Sequence, residues 1–158
     1  MIKSFDINKK KAGFTVFDVP SHEFINTLAS YFKEKNIIKL PKFSALVKTS
    51  RANDCEPINA DYIYYKAAAI CRKLYITKSK NLGVGSLRSM FSKKQRRGSQ
   101  PPKTFRAGGK IIRDLVIQLK GAKYLENFGG EEETNHGLTL TKTGRSELDK
   151  IAAGIMKK

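Results

Sequence analysis

Apolar residues recur at every third or fourth position along three stretches of the first half of the chain, which is the spacing of one face of an α-helix. Residues 20–35 predict a first helix, and Pro20 is tolerated in its first turn because the missing amide donor has no partner there. Pro41 predicts a short second helix through Val47, and Asp61 predicts the N-cap of a third. The third helix is expected to bury Ile63, Ala67, Ile70 and Leu74.

The last third of the chain changes from a helical pattern to a strand pattern and back. The apolar residues of the segment 111–119 predict a helix that ends at Gly121. Residues 123–126 and 137–140 predict the two strands of a hairpin. Thr141 then predicts the N-cap of a final helix. Helix, hairpin and helix in this order predict a mainly α fold, with a winged-helix-like helical domain and a small β-hairpin wing.

The two ends of the chain differ in composition. Residues 1–13 are polar and basic, with three consecutive lysines, and predict a flexible N-terminal tail. Residues 14–158 contain enough apolar side chains for one ordinary core and predict a single domain. Neither a membrane span nor a signal peptide is expected, since the chain lacks an apolar run of about 20 residues and an apolar leader. An intracellular protein is therefore expected.

Regular periodicity fades between Thr77 and Gly109, where glycine, serine and proline are frequent. This segment predicts an irregular basic loop, in which Gly83 and Gly85 would let the backbone approach a phosphate closely. A disordered linker, or a nuclear localisation signal in residues 93–97, is the alternative. Apolar residues that a linker would not need favour the ordered loop. They are Leu82, Val84, Leu87, Met90 and Phe91.

Charge is unevenly distributed along the chain. There are 31 lysines and arginines against 14 aspartates and glutamates, which gives a net charge of +17. Residues 62–113 contain 14 of those 31 basic residues and no acidic residue. A carboxylate near a nucleic-acid contact would repel phosphate, whereas each cation there displaces a counterion. The acid-free segment therefore predicts a polyanionic partner, with nucleic acid as the leading class.

The cations of the acid-free segment are the candidate binding residues. Arginine can fork to a phosphate or stack on an unpaired base, whereas lysine acts as a point charge. The arginines expected to make specific contacts are Arg72, Arg88, Arg96, Arg97, Arg106 and Arg113. The lysines expected to attract the phosphate backbone are Lys66, Lys73, Lys93, Lys94, Lys103 and Lys110. Lys66 and Lys73, seven residues apart, are expected to share an outward helix face.

Motifs for catalysis and cofactor binding fail on spacing. Residues 109–110 resemble the end of a phosphate-binding loop, but Ile111 stands where a magnesium-binding hydroxyl is needed. Residues 83–85 are followed by Arg88 at the position where a dinucleotide fingerprint needs glycine. No catalytic residue, cofactor or metal site is expected, so the chain is not predicted to be an enzyme.

The remaining candidates for chemistry stand alone. His22 and His136 are far apart in sequence and are expected on the surface. Cys55 and Cys71 lack the spacing of a zinc site or a disulfide framework and predict two core thiols. The acidic cluster Glu131–Glu133 lacks the spacing of a calcium loop. It predicts a hairpin tip that faces solvent or a basic protein neighbour.

Several short motifs follow one another between residues 14 and 153. They are Val16–Val19, Leu40–Phe43, Tyr64–Ala68, Arg72–Tyr75, Gly83–Leu87, Gln95–Gly98 before Pro101, Leu138–Thr139, and Gly144–Arg145 ahead of Leu148–Ala152. In this order and spacing they resemble the e-type small ribosomal subunit protein nineteen family of eukaryotes and archaea. Single tripeptides would not be specific, but the ordered set is.

The chain departs from the family pattern at several positions. Phe43 and Tyr62 stand where the family commonly has tryptophan, and Lys66 replaces a usual arginine. The aromatic changes preserve packing chemistry. Residues 91–93 and 103–104 differ from the usual loop sequence, so the loop geometry and its RNA contacts are expected to differ.

The resemblance implies a structural constituent of the small-subunit head that binds small-subunit rRNA and supports its maturation and subunit assembly. The implied partners are that rRNA and neighbouring small-subunit ribosomal proteins, with no membrane and no small-molecule substrate. The implied location is the cytoplasmic ribosome, and the nucleolus during assembly if the source is eukaryotic.

Two other functions compete with this hypothesis. A winged-helix DNA-binding regulator would place a basic helix in the major groove. Here the wing tip is acidic and the densest positive charge is predicted in an irregular loop, which suits folded RNA better. An RNA-modifying enzyme would need a base, nucleophile or metal site that the sequence lacks.

Overall fold

A computed structural model describes residues 13–77, 82–128 and 137–157. The helices are α1 (Ser21–Glu34), α2 (Tyr62–Ile76), α3 (Val84–Met90), α4 (Gly109–Gly121) and α5 (Lys142–Met156). The strands are β1 (Lys93–Arg97), β2 (Gln100–Phe105), β3 (Leu125–Phe128) and β4 (Gly137–Leu140). The mainly α, winged-helix-like fold with a β-hairpin wing is confirmed, with α4, the β3–β4 hairpin and α5 in the predicted order.

The helices α1 and α2 form where the apolar spacing predicts them. The helix α1 begins one residue after Pro20, and α2 buries the predicted stripe from Ile63 to Leu74. The predicted second helix is shorter than expected, because only a 3₁₀ turn over Ser44–Leu46 forms. Asp61 precedes α2 as predicted, but its side chain does not cap the helix. It instead accepts a hydrogen bond from Lys33 Nζ at 2.6 Å.

The C-terminal wing follows the prediction closely. Strands β3 and β4 pair antiparallel from Leu125 opposite Leu140 to the hairpin end. Thr141 caps α5, since its side-chain oxygen accepts a hydrogen bond from the Gly144 amide at 2.9 Å. Strand β3 begins at Leu125 rather than at Lys123, whose φ of 59° is left-handed and incompatible with a strand. The predicted acidic tip, Glu131–Glu133, and His136 lie outside the described residues.

The prediction of an irregular loop over residues 77–109 is wrong. Its described part contains α3 and a second antiparallel hairpin, β1–β2. The hairpin turns through Gly98, whose φ of 63° suits glycine. The pairing shifts register between Gln95 opposite Lys103 and Arg97 opposite Gln100, which leaves one extra residue in β2. That shift falls at residues 101–102, two prolines without the amide donors of a regular ladder.

One hydrophobic core collects side chains from the helices and from the β3–β4 hairpin. Phe24, Leu28 and Phe32 of α1 are fully buried in it, and the Phe32 ring meets Tyr124 edge-on at 5.6 Å between centroids. Cys71 is buried in this core as predicted, and burial raises the pKa of its thiol to about 12. Cys55 is exposed, so the prediction that it is a core thiol is wrong.

None of the helices within the described residues is long and apolar enough to span a membrane. The predicted flexible tail falls on residues 1–13, of which only Gly13 is described. The division into this tail and a single domain of residues 14–158 therefore stays a prediction.

Candidate nucleic-acid interface

The basic hairpin β1–β2 lies against the loop that precedes α2. Because side chains alternate along a strand, Lys93, Gln95, Lys103 and Phe105 share one face. On this docked face Lys93 Nζ donates a hydrogen bond to Asn53 at 2.9 Å, and Gln95 makes a longer one of 3.4 Å to Asp54. The Arg51 guanidinium lies 5.2 Å from the centre of the Phe105 ring. These contacts hold the hairpin against the rest of the protein.

The opposite face of the basic hairpin is turned away from this loop. Lys94, Arg96 and Thr104 alternate with the docked residues and are exposed. Neither cation of this free face has a hydrogen bond or salt bridge to any described residue. The adjacent Arg97 forks from Nε and an Nη to the Pro101 carbonyl, at 3.2 and 2.9 Å, and so braces the turn. The hairpin therefore presents two unengaged cations on a supported frame.

The segment that leads into α4 is fixed by backbone contacts. Arg88 Nε donates to the Ala107 carbonyl at 3.0 Å, and the Ala107 amide donates to the Arg88 carbonyl at 3.1 Å. The Gly108 amide donates to the Thr49 carbonyl at 2.8 Å. The neighbouring Arg106 is exposed, although the Ser50 hydroxyl donates to its carbonyl at 3.2 Å. Arg88 therefore supports the start of α4, whereas the Arg106 side chain is open to solvent.

The exposed face of α4 continues the positive surface. Lys110 and Arg113 lie on this face, and Ile117 follows one turn later with 68 % of its surface exposed. The Lys110 ammonium is 4.3 Å from the centre of the Phe43 ring, a cation–π distance that orients it near the first turn of the helix. Exposed cations therefore lie both on the free face of the hairpin and on the first two turns of α4, two elements that follow one another in the chain.

Lys66 is not the outward cation that its helical spacing predicts. It is half-buried, with its ammonium 3.8 Å from the centre of the Phe91 ring at the end of α3. Burial lowers the pKa of this ammonium to about 8. The ring attracts the cation and acts in the opposite direction. Lys66 therefore connects α2 to α3, and only Lys73 of the predicted pair is exposed.

Arg72 lies apart from the Lys66–Lys73 side of α2. Six residues of helix separate it from Lys66 by about 120° of rotation, so the two flank opposite edges of the buried stripe. The Arg72 Nε is buried and has no hydrogen-bond partner among the described residues. None of the contacts seen in those residues joins Arg72 to the hairpin. Arg72 therefore lies on a different side of α2 from the predicted Lys66–Lys73 pair.

An acidic residue from outside the acid-free segment reaches the basic hairpin. Asp54 accepts from Gln95 on the docked face, although it lies eight positions before residue 62. A count along the sequence cannot detect it, since its approach depends on how the loop before α2 folds back. Asp54 makes the docked face less attractive to phosphate than the free face.

The described histidine and acidic residues do not assemble into a site for chemistry. His22 is exposed at the start of α1, as predicted, and its Nε2 lies 3.6 Å from Glu23 Oε1. Residues 13–77, 82–128 and 137–157 contain no group of three or more histidine, cysteine, aspartate or glutamate side chains that could hold a metal ion.

Comparisons with known proteins agree with the motif resemblance. The family model described as Ribosomal protein S19e matches residues 15–158. The small ribosomal subunit protein eS19 of Mya arenaria is 37% identical over 146 residues, covering 92% of this chain and 93% of that protein. The protein of the same name from Argopecten irradians is 34% identical over 92% of this chain and 96% of its own length. The small ribosomal subunit protein eS19 of rice is 31% identical, covering 89% of this chain and 92% of that protein.

Proposed function

The chain belongs to the ribosomal protein S19e family, whose members are structural proteins of the small ribosomal subunit, and we propose that it binds the ribosomal RNA of that subunit. The contact surface is the free face of the basic hairpin together with Arg106 and the exposed side of the first two turns of α4. Binding there supports maturation of the rRNA and assembly of the subunit.

The observation that carries this proposal is the docked hairpin with two unengaged cations. An isolated two-stranded hairpin is marginal in water. Here the Lys93, Gln95 and Phe105 contacts hold it in place, so less ordering is required when RNA binds. Lys94 and Arg96 are then presented to phosphate from a preformed frame. Binding at this surface does not require a single helix to contact base edges in a deep groove of the RNA.

The twelve predicted contact residues divide by their engagement within the protein. Those with no side-chain partner among the described residues are Lys73, Lys94, Arg96, Arg106 and Arg113. The last four lie on the contact surface and are the proposed direct RNA contacts, whereas Lys73 lies on α2, outside that surface. Those that already contact the protein hold the surface in shape or contribute charge at longer range, namely Lys66, Arg88, Lys93, Arg97, Lys103 and Lys110. Arg72 is separate, because its guanidinium is partly buried on the far edge of α2.

The DNA-binding alternative is not favoured. The relatives that cover about nine-tenths of this chain carry the name of a small-subunit ribosomal protein. The family is likewise not known for enzymatic activity. We place the protein in the ribosome of the cytoplasm and, if its source is eukaryotic, in the nucleolus while the subunit is assembled.

Gradient sedimentation tests the proposal in cells that express the full chain. The wild-type protein is expected to sediment with small subunits and their precursors. The variant Lys94→Glu/Arg96→Glu is expected to shift to the top of the gradient and to delay processing of the rRNA precursor. Lys35→Glu/Lys150→Glu is the matched control, because it reverses the same number of exposed cations, one directly after α1 and one on α5. Equal behaviour of the two variants would contradict the proposed surface.

A further inference from the structure

The loop between α1 and α2 is also hydrogen-bonded to elements other than the basic hairpin. The Lys39 amide donates to the Gln118 side-chain oxygen at 2.7 Å, and the Gln118 amide group donates back to the Lys39 carbonyl at 3.0 Å. The Tyr62 hydroxyl donates to the Ser44 carbonyl at 3.1 Å. These bonds fix the loop to α4 and to α2, so the surface it presents is a built one.

This fixed loop exposes large aliphatic side chains. Ile58 is fully exposed, Leu46 is 86 % exposed and Leu40 is 48 % exposed. Single exposed apolar residues are ordinary, but a cluster on an ordered concave surface indicates an interaction site. Leu40 and Ile58 line the same groove, whereas Leu46 only follows the lining residue Ala45 in the sequence.

The groove has a volume of about 370 Å³ and a mixed apolar and acidic lining. Pro57 and Tyr62 contribute to its walls beside Leu40 and Ile58. Glu56 is the single charged residue among the described residues that line it. The loop lysines Lys42 and Lys48 are near in sequence but do not line the groove.

We propose that this groove is the docking site for a segment of a neighbouring small-subunit protein that carries an aliphatic anchor beside a lysine or arginine. The aliphatic side chain would bury Leu40 and Ile58, and the cation would pair with Glu56. This inference rests on the place of the chain in the small subunit, and it does not depend on the RNA contact proposed for the hairpin.

Two other occupants fit the groove less well. RNA is disfavoured, because Glu56 repels phosphate and the aliphatic side chains offer it no hydrogen bonds. A second copy of this chain is disfavoured, since it would add a whole further net charge of +17, whereas a short segment brings a single cation to Glu56. A basic protein segment meets both the apolar and the acidic features.

Photo-crosslinking of the assembled subunit tests this assignment. A benzoylphenylalanine probe at Ile58 is expected to crosslink to one small-subunit protein, at a peptide with an aliphatic residue and a lysine or arginine. A probe at Thr104, on the free face of the hairpin, is expected to label rRNA. Labelling of rRNA from Ile58, a crosslink to a second copy of the chain, or no crosslink from Ile58 would each overturn the inference. Failure of the Thr104 probe alone would count against the RNA proposal.

A neutral double substitution provides the second measurement. Leu40→Ser/Ile58→Ser is expected to keep the thermal unfolding midpoint and the affinity for small-subunit rRNA, since both side chains are exposed in the free protein. Its occupancy in mature subunits should fall by about tenfold, the loss of a modest apolar contact. The matched control Leu40→Met/Ile58→Leu, which retains apolar area, should assemble normally. Wild-type occupancy of the serine variant would contradict the docking role.

Discussion

The salt dependence of RNA binding can distinguish the two faces of the basic hairpin. We compare Lys94→Gln/Arg96→Gln on the free face with Lys93→Gln/Lys103→Gln on the docked face. Both variants remove two positive charges from the same hairpin, so their net charges are identical. They differ in which face loses its cations, and the free-face pair includes one arginine.

The expected change in the salt dependence of RNA binding follows from counterion release. Each phosphate contact contributes about 0.9 to the slope of log affinity against log salt for a duplex, and about 0.7 for a single strand. Loss of two contacts should therefore lower the slope by about 1.4 to 1.8 for the free-face variant. Over a fourfold rise in salt, from about 50 to about 200 mM, this difference alone changes the ratio of wild-type to variant affinity by about tenfold.

The docked-face variant should behave differently. Lys93 already donates to Asn53, and Lys103 lies 5.9 Å from the Phe105 ring centre on the same face. Its slope should stay close to the wild-type value, while the hairpin becomes easier to displace. Filter binding to small-subunit rRNA, at four salt concentrations, measures both slopes. Equal slope reductions in the two variants would refute the assignment of the contact to one face.

Two further predictions concern stability. Between about pH 8 and 10.5 the Lys66 side chain keeps its proton in the unfolded chain but has lost it in the folded protein. The free energy of unfolding should therefore rise with pH. The expected rise is about 1 kcal/mol from pH 7 to 9, after allowance for the partial exposure of the side chain. Urea unfolding at both pH values should show this rise in the wild type and not in Lys66→Met; an equal rise in both would assign it to another group. Gly144→Ala should cost about 1–3 kcal/mol, because a Cβ there would lie 2.8 Å from the Tyr124 carbonyl oxygen. Gly154→Ala, in the same helix, is the control, because a Cβ there would have no atom within 4 Å. It should be neutral or stabilising by up to about 1 kcal/mol. Equal losses of stability in the two variants would contradict the steric argument.

Local rules were enough for the long elements. The apolar spacing of α1, α2, α4 and α5 is a property of neighbouring residues, and these helices form where that spacing predicts them. The Thr141 cap and the β3–β4 hairpin also depend on contacts close in sequence. The order of the short motifs identified the family, and the unequal charge indicated the class of partner.

The basic hairpin could not be predicted in the same way. Its strands are exposed on nearly every residue, so they lack the alternation of apolar and polar residues that marks a half-buried strand. Two prolines in β2 weaken the strand signal further. What stabilises the hairpin is its pairing and its contacts with the loop before α2, some 40 residues earlier. Those contacts exist only after the chain has folded.

The sequence by itself therefore determined the helices, the family and the expectation of a polyanionic partner, because these depend on residue type, spacing and order. The tertiary structure decided which cations are available. It placed Lys66 against Phe91, turned Lys93 towards Asn53 and left Lys94 and Arg96 open to solvent. Charge is a property of a residue, but its availability depends on neighbours that only the folded chain brings together.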